Sequence, residues 1–264
     1  MVAVTLRVLI GVAGLYLAVL VLLYVFQSRF IYPAPQEVHP PAPGFKAVAL
    51  QTSDGLTLNA HWQPPEANRP SVVFFHGNGG SLAGSTEETR LLAVQGYGVL
   101  LVNYRGYGGN PGEPSEDGFY ADGRAAMTFL AEQGVAPART IVVGNSIGSG
   151  TATQMAAEFD PAALILVSPF DSLVAVAQDA MPIAPVGLLL RDRFDNLAKI
   201  GGLDMPVLIQ HGTADRVVPF SHSKRLADAG NAVTFQPFEG GGHDLSFRED
   251  AQIAQSEWLA ARGL

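Results

Sequence analysis

A serine between two glycines marks a junction that predicts a strand, a sharp turn and a helix. Gly144-Asn145-Ser146-Ile147-Gly148 directly follows the apolar run 140–143 and directly precedes the helix-prone stretch 151–158. In such a turn the serine takes a strained backbone conformation that points its hydroxyl outward, and a side chain at either glycine would collide with the neighbouring strand or helix. The bare pattern also fits an ordinary loop into a helix, so its meaning depends on partners elsewhere in the chain.

Size, charge and cysteine content exclude several classes of protein. The 264 residues, 48% of them hydrophobic, suffice for one α/β domain of about 230 residues besides an N-terminal segment. The net charge is −8 and the 16 Lys and Arg residues form no basic run, so the chain predicts no nucleic-acid partner. Because the chain has no cysteine, it has no disulfide, thiolate nucleophile or cysteine-based metal site.

The N-terminal segment predicts a membrane anchor. Residues 8–26 carry no charge over 19 positions, close to the roughly 20 that a helix needs to cross about 30 Å of hydrocarbon. A cleavable signal peptide is the alternative, but the apolar core is longer than its usual length of about 7–15 residues and no small-x-small site follows. Arg7 together with the amino terminus slightly outweighs Arg29 and the more distant Lys46, which favours a cytoplasmic N-terminus with the folded domain on the extracytoplasmic side.

Proline spacing and hydrophobic periodicity divide the chain into three parts. Residues 1–32 are predicted to be the anchor, residues 33–44 with five prolines an extended linker, and residues 45–264 the folded domain. At the start of the domain, stretches 45–50 and 56–62 alternate apolar with polar residues, which predicts an antiparallel hairpin at a sheet edge.

The rest of the domain predicts a doubly wound, mostly parallel α/β sheet. Five short runs are almost wholly apolar, as strands buried on both faces are: residues 71–75, 98–102, 140–143, 163–167 and 207–210. Helix-like stretches lie between or after them, at residues 86–94, 118–132, 151–158 and 220–229. In such a sheet, ligands bind beyond the carboxyl ends of the strands, which is where the polar motifs of this chain fall.

The chain offers a general base and a carboxylate for the serine. A serine hydroxyl needs a base within hydrogen-bond reach, and that base needs a carboxylate to orient it. His243 follows three glycines after the strand-like run 233–238, and Asp215 lies at the end of the preceding strand. Rivals exist for both roles: His76, His211 and His222 for the base, and Asp171 for the acid. We expect His76 and His211 to brace strand ends and therefore favour His243 with Asp215.

Several motifs in a fixed order support a resemblance to a known family. They are Asn-Tyr-Arg-Gly-Tyr-Gly at 103–108, Pro-Ser-Glu-Asp-Gly at 114–118 and Ser-Pro-Phe-Asp-Ser-Leu at 168–173. With the serine turn and the order Ser, Asp, His, the region from about Phe45 onward resembles the α/β-hydrolase superfamily and its membrane-anchored, Bem46-like branch. The resemblance implies roles for five residues: Ser146 as nucleophile, His243 as base, Asp215 as acid, and the backbone amides of Asn78 and Ile147 as oxyanion hole.

The implied chemistry is acyl transfer to water by a serine esterase or thioesterase, with no metal and no organic cofactor. The substrate is expected to be a small-molecule or lipid-like acyl compound. Two alternatives stay open: a serine peptidase of the prolyl or aminopeptidase type, and a membrane-tethered scaffold without turnover.

Two further features lie beside the predicted site. The apolar insertion 174–200 stands where hydrolases carry a lid, and its side chains line an acyl pocket, lean on the membrane or pack on the core. Arg105, at a strand end, binds a substrate anion or braces a loop through a carboxylate, and we favour bracing.

Overall fold

The fold is described from a computed structural model that covers residues 2–66 and 68–264. Eight strands form one sheet in the order β1-β2-β4-β3-β5-β6-β7-β8. They are β1 (Lys46–Gln51), β2 (Thr57–Gln63), β3 (Ser71–Phe75), β4 (Gly98–Val102), β5 (Thr140–Asn145), β6 (Ala163–Val167), β7 (Val207–Gly212) and β8 (Val233–Phe238). The first two form an antiparallel hairpin, β2 pairs antiparallel with β4, and β3 to β8 are parallel. The predicted doubly wound sheet with an edge hairpin is confirmed.

Ten α-helices are described in this part of the chain. They are α1 (Val2–Ile31), α2 (Leu82–Glu88), α3 (Arg90–Val94), α4 (Glu116–Glu132), α5 (Gly148–Phe159), α6 (Leu173–Ala180), α7 (Val186–Leu189), α8 (Leu197–Ile200), α9 (Ser221–Ala229) and α10 (Glu249–Ala260). Short 3₁₀ turns lie at Pro137–Arg139 and Leu245–Phe247.

The central strands are apolar throughout because both faces of the sheet are covered. In β3, Val73 and Phe75 belong to one cluster of buried side chains, whereas Val72 and Phe74 belong to another. Successive side chains of a strand point to opposite faces, so the two clusters lie on the two sides of the sheet. Burial on both sides is the physical reason for the uninterrupted apolar runs in the sequence.

Two helices begin earlier in the sequence than predicted, because a capping serine precedes each of them. The stretch predicted as one helix over 86–94 begins at Leu82 and is divided at Thr89. The Ser81 hydroxyl accepts a hydrogen bond from the Gly84 N–H at 3.2 Å, which starts α2. Helix α4 likewise begins two residues earlier than predicted, since the Ser115 hydroxyl accepts from the Gly118 N–H at 3.1 Å.

The N-terminal helix is long and apolar enough to cross a membrane, by length and composition. Its 30 residues extend about 45 Å at about 1.5 Å per residue, and it continues five residues beyond the predicted apolar core.

The Pro-rich segment that follows the helix lies against the folded domain. Tyr32 is buried and packs edge-on against the ring of Phe119, with 5.2 Å between ring centroids. The carbonyl of Pro35 accepts a hydrogen bond from the Gly108 N–H at 2.7 Å. The path from the helix to β1 is therefore held in place by the domain.

Candidate active site

The carboxyl ends of the parallel strands bring together the three residues that the sequence singled out. Ser146 follows β5, Asp215 follows β7, and His243 lies in the loop after β8. The Oγ of Ser146 is 2.9 Å from Nε2 of His243, and Nδ1 of the same ring is 2.7 Å from Oδ2 of Asp215. Side chains 97 and 28 positions apart in the chain thus form one hydrogen-bonded series.

The turn at Ser146 has the strained geometry that the glycine pattern predicts. Ser146 has φ of 51°, in the left-handed region that non-glycine residues seldom adopt. A Cβ on Gly148 would lie 2.1 Å from the carbonyl oxygen of Phe75, and one on Gly144 would lie 2.5 Å from the carbonyl oxygen of Gly148. Neither site can accept a side chain while the helix stays this close to the sheet.

Asp215 is held as an ionised carboxylate by the groups around it. Its Oδ1 accepts hydrogen bonds from the N–H groups of Val217 and Val218 at 2.8 and 2.9 Å. Its Oδ2 faces both His243 and, at 3.2 Å, Nε2 of His211. Burial alone would raise the pKa of Asp215, but the hydrogen bonds from the two histidines and from the backbone hold it well below its ordinary value.

His211 was expected to brace a strand end, but in the structure it also contacts the candidate acid, Asp215. The ring is fully buried, with Nδ1 against the hydroxyl of Ser223 and Nε2 3.0 Å from the carbonyl oxygen of Val218. The same Nε2 faces the Asp215 carboxylate, so His211 contributes directly to the electrostatics of the candidate acid. The four-residue spacing from 211 to 215 at the end of a strand was the available sequence signal.

The other rival residues make different contacts. Asp171 pairs with Nδ1 of His222 at 2.7 Å and with Nε of Arg225 at 2.5 Å, rather than with His243. His76 is fully buried, with Nδ1 2.8 Å from the carbonyl oxygen of Gly77. Burial lowers the pKa of His76 to about 4, so its ring is neutral near pH 7.

The two residues whose backbone amides are expected to form the oxyanion hole, Asn78 and Ile147, line the same cavity as Ser146. Across residues 2–66 and 68–264, neither of these two N–H groups donates a hydrogen bond to a protein acceptor. The side chain of Asn78 accepts a hydrogen bond from the hydroxyl of Tyr107 at 3.1 Å, which fixes the loop. Two free N–H groups beside a serine hydroxyl can stabilise a developing oxyanion.

Comparison with known proteins identifies the family. A family model described as the alpha/beta hydrolase fold matches residues 70–195. An uncharacterised protein of Mycobacterium tuberculosis is 36% identical over 226 residues, which cover 83% of this chain and 80% of that protein. Protein bem46 of Schizosaccharomyces pombe is 31% identical over 233 residues, covering 79% of this chain and 77% of that protein.

The chain belongs to the α/β-hydrolase superfamily, in its Bem46-like branch. A solved esterase of Thermogutta terrifontis, with butyrate bound, shares the fold at a TM-score of 0.66 and 24% identity, over 84% of this chain and 95% of that one. The fold and the hydrolase class are therefore shown, as the resemblance implied.

The cavity of this Bem46-like hydrolase is lined by both polar and apolar residues. It measures about 550 Å³, within the usual range of ligand sites. The polar lining includes Ser146, His243 and Asn78, and the apolar lining includes Ile31, Phe170, Leu173, Val176 and Val217. A second cavity of about 460 Å³ lies between the Pro-rich segment and the β1–β2 hairpin, and neither Ser146 nor His243 lines it.

A buried carboxyl group beside the nucleophile was not anticipated from the sequence. Oε1 of Glu88 accepts hydrogen bonds from the side-chain amide of Asn145 and from the hydroxyl of Ser246, both at 2.7 Å. Glu88 thus ties α2 to the serine turn and to the segment after His243. Burial raises the pKa of Glu88, although the hydrogen bonds from Ser246 and Asn145 oppose that effect. No local pattern distinguishes Glu88 from its exposed neighbour Glu87.

Arg105 braces the structure, as favoured from the sequence. Its guanidinium lies 2.8 Å from the fully buried carboxylate of Asp122 and 2.7 Å from that of Asp54 in the β1–β2 turn. A planar group with several donors can hold both carboxylates at once. Arg105 therefore joins α4 to the edge hairpin instead of facing the candidate substrate cavity.

Proposed function

We propose that this chain is a membrane-anchored serine hydrolase that cleaves an acyl ester or thioester through an acyl-enzyme. The proposal rests on one observation above all: the hydrogen-bonded series Ser146, His243 and Asp215, whose first two members line a cavity together with Asn78 and Ile147. The solved Thermogutta terrifontis esterase that shares the fold has butyrate bound, which agrees with an acyl substrate.

In the acylation step, Nε2 of His243 accepts the proton of the Ser146 hydroxyl as Oγ attacks the substrate carbonyl carbon. The N–H groups of Asn78 and Ile147 stabilise the oxyanion of the tetrahedral intermediate. The imidazolium that forms is stabilised by the Asp215 carboxylate, 2.7 Å from Nδ1. When the intermediate collapses, the same histidine gives its proton to the leaving alcohol or thiol.

Water then releases the acyl group by the reverse sequence. His243 takes a proton from the water, the hydroxide adds to the acyl carbon, and Ser146 leaves with the proton that the histidine returns. The products are a carboxylic acid and the free enzyme. The apolar side chains that line the cavity, among them Leu173 and Val176, contact the acyl chain.

The contacts of Gln27 support a retained anchor rather than a removed signal peptide. The side-chain amide of Gln27 donates a hydrogen bond to the Leu189 carbonyl at 3.2 Å and accepts one from the Arg191 N–H at 2.9 Å. Gln27 is 92% buried by these neighbours and by its own helix. Removal of α1 would leave both backbone groups without their partner. The extracytoplasmic orientation of the domain stays a prediction.

The test is covalent labelling of the full chain in detergent with a fluorophosphonate, in wild type and in Ser146→Ala. We expect labelling of the wild type and none of the variant, with hydrolysis of p-nitrophenyl butyrate lost in parallel. A Ser149→Ala variant serves as control, since Ser149 lies in α5, directly after the turn that carries Ser146, and is a buried serine that does not line the cavity. Well-folded wild type that neither labels nor hydrolyses any ester would overturn the proposal in favour of a scaffold.

A further inference from the structure

An apolar groove lies between the N-terminal helix and the lid. We define the lid as residues 173–200, which include α6, α7 and α8. The groove has a volume of about 100 Å³. Apart from Gln27 and Tyr24 its walls are apolar, with Leu23, Phe30 and Ile31 from α1 and six aliphatic residues or methionine from the lid, among them Ala177 and Leu189. No charged side chain lines it.

The tip of the lid lies alongside the middle of the apolar helix. The Tyr16 hydroxyl donates a hydrogen bond to the Ile183 carbonyl at 2.6 Å. Tyr16 precedes the end of the helix by 15 residues, or about 22 Å. Residues 181–190 carry no charge, and Ile183 and Leu188 are 82% and 87% exposed. If α1 spans a bilayer, the lid tip lies in its hydrocarbon.

Several backbone groups of the lid tip have hydrogen-bond partners within the protein, as a hydrocarbon environment favours. Unpaired backbone groups are costly in lipid, so irregular backbone there needs partners within the protein. Four carbonyl groups of the lid accept hydrogen bonds from side chains. Tyr16 donates to the Ile183 carbonyl and Gln27 to the Leu189 carbonyl. Gln178 donates to the Pro182 carbonyl and Arg193 to the Gly187 carbonyl. The turns provide others, including the Ala184 N–H to the Met181 carbonyl at 3.1 Å.

Cations and aromatic rings mark the level of the membrane surface. The guanidinium of Arg191 lies 4.7 Å from the ring centroid of Tyr24, and that of Arg29 lies 5.6 Å from that of Phe26. Such pairs are typical of the interface between hydrocarbon and headgroups. Of the α1 residues that line the groove, Leu23 and Tyr24 lie near this level and Ile31 lies at the end of the helix next to the domain.

The groove and the candidate catalytic cavity share a wall. Ile31, the last residue of α1, lines both of them. Helix α6 also borders both, since Leu173 and Val176 face the catalytic cavity and Ala177 faces the groove. Ile31 lies seven residues beyond Tyr24, or about 10 Å along the helix, so the groove bridges the distance from the interface to the catalytic cavity.

We infer that the groove between α1 and the lid admits the acyl chain of a lipid ester directly from the bilayer. This inference rests on the proposed function and specifies its substrate class as a membrane lipid ester with a long acyl chain. The chain occupies the groove while its ester carbonyl reaches Ser146. The acyl carbon then bonds to Oγ, the ester C–O bond breaks, and the lipid alcohol leaves with the proton from His243. Water subsequently releases the fatty acid.

The test fills the groove without altering the catalytic residues. Full chain in phosphatidylcholine nanodiscs is assayed with 4-methylumbelliferyl palmitate and with the soluble butyrate ester. In Ala177→Phe, whose new ring would occupy the groove, we expect kcat/KM for palmitate to fall about tenfold and that for butyrate to stay within about twofold. Ala180→Phe is the matched control, because Ala180 lies on the same helix, is exposed and lines neither cavity.

A second measurement does not depend on a folded variant. Wild type in nanodiscs is irradiated with a phosphatidylcholine whose acyl chain carries a diazirine, and we expect crosslinks at groove residues such as Leu23 and Leu189. Lipid adducts confined to exposed positions of α1 such as Leu9 and Val12, with none at the groove residues, would overturn the inference. So would palmitate hydrolysis that is unaltered in a stable Ala177→Phe, or a wild type that hydrolyses only butyrate.

Two further measurements distinguish this inference from two alternatives: an acylated-protein substrate and the absence of hydrolase activity. A soluble palmitoyl-thioester peptide, hydrolysed without a bilayer faster than the lipid ester, would assign the groove to acylated proteins and overturn the lipid assignment. Absence of fluorophosphonate labelling would contradict the proposed hydrolase itself, whereas normal labelling with no chain-length preference contradicts only the groove.

Discussion

The carboxyl group of Glu88 lies 2.7 Å from the side-chain nitrogen of Asn145, the residue immediately before the candidate nucleophile. It lies at the same distance from the hydroxyl of Ser246, three residues after His243. A single buried group therefore connects the turn that carries the serine to the loop that carries the histidine. Its protonation state affects how both are held.

Replacing Glu88 by glutamine is expected to remove a pH-dependent loss of stability. Burial raises the pKa of Glu88 above its ordinary value of 4.5, so the folded chain binds this proton more tightly than the unfolded chain. Wild-type stability therefore falls relative to Glu88→Gln as pH rises from about 4.5 through the folded-state pKa. Urea unfolding of both proteins at pH 4, 6 and 8 measures the difference.

The control for this prediction is Glu87→Gln, the exposed neighbour on the same helix. Its stability relative to wild type should depend little on pH. Glu88→Ala, which removes the oxygen that accepts both hydrogen bonds, should cost about 1–3 kcal/mol at pH 4, and this cost should shrink as pH rises because the variant also lacks the titrating group. A Glu88→Gln protein that loses stability relative to wild type as pH rises would contradict the assignment of a raised pKa.

Gly148→Ala is expected to destabilise the protein strongly. The new Cβ would lie 2.1 Å from the Phe75 carbonyl oxygen and 2.7 Å from that of His76, so α5 would have to move away from the sheet. We expect a loss of about 3 kcal/mol or more in the free energy of unfolding, together with loss of fluorophosphonate labelling. Thermal unfolding and labelling at low temperature separate the two effects.

Gly84→Ala provides the matched comparison, because its Cβ would have only ordinary contacts, with the closest atom at 3.6 Å. Alanine is the better helix former, so this variant should be as stable as wild type or gain up to about 1 kcal/mol. Equal stability of the two variants would refute the close approach of α5 to β3.

Asp215→Asn and Asp171→Asn are expected to differ sharply in activity. Asparagine at 215 removes the charge that stabilises the His243 imidazolium, and kcat/KM should fall by about 10³–10⁴ with KM little changed. Asp171→Asn alters a carboxylate that pairs with His222 and Arg225, so its kcat/KM should stay within about threefold of wild type. Ester hydrolysis at pH 8 measures both, and the reverse ranking would make Asp171 the acid.

The depressed pKa of Asp215 also predicts a stability effect with a defined sign. The carboxylate contributes stability above its unfolded pKa, and that contribution is lost as pH falls through the lower folded-state pKa. The stability gap between wild type and Asp215→Asn, about 1.5–3 kcal/mol at pH 7 for hydrogen bonds to a charged group, should therefore narrow in acid. Urea unfolding of wild type and Asp215→Asn at pH 3 and pH 7 measures how far the stability gap narrows.

Gln27→Leu is expected to loosen the lid from the N-terminal helix. The substitution leaves the Leu189 carbonyl and the Arg191 N–H without the partner that now satisfies both. Amide hydrogen exchange across residues 186–193 should accelerate by about tenfold or more, since losing a buried partner costs about 1–3 kcal/mol. Leu22→Ala, at an exposed position of the same helix, is the control. Equal exchange in both variants would show that Gln27 does not fix the lid.

The sequence by itself determined the sheet and the identity of the candidate residues. Uninterrupted apolar runs such as 163–167 predicted buried parallel strands, because a strand covered on both faces has no polar side. The glycines around Ser146 predicted the turn, since the crowding at Gly144 and Gly148 depends on local geometry that these few residues encode. Both features depend on residues that are close together in the sequence, so the sequence pattern is enough to predict them.

Only the tertiary structure decided which distant groups meet. It placed His211 against Asp215, Glu88 beside Asn145, and Gln27 against the lid, 162 positions away in the chain. It also showed that α1 and the lid together form a groove that shares the lining residue Ile31 with the cavity at Ser146. These contacts depend on how helices and strands pack against one another. They join residues that are far apart in the sequence at no regular spacing, so no sequence pattern predicts them. Local motifs therefore sufficed to predict the candidate catalytic residues, whereas the contacts that support them and the groove beside α1 could be found only in the folded chain.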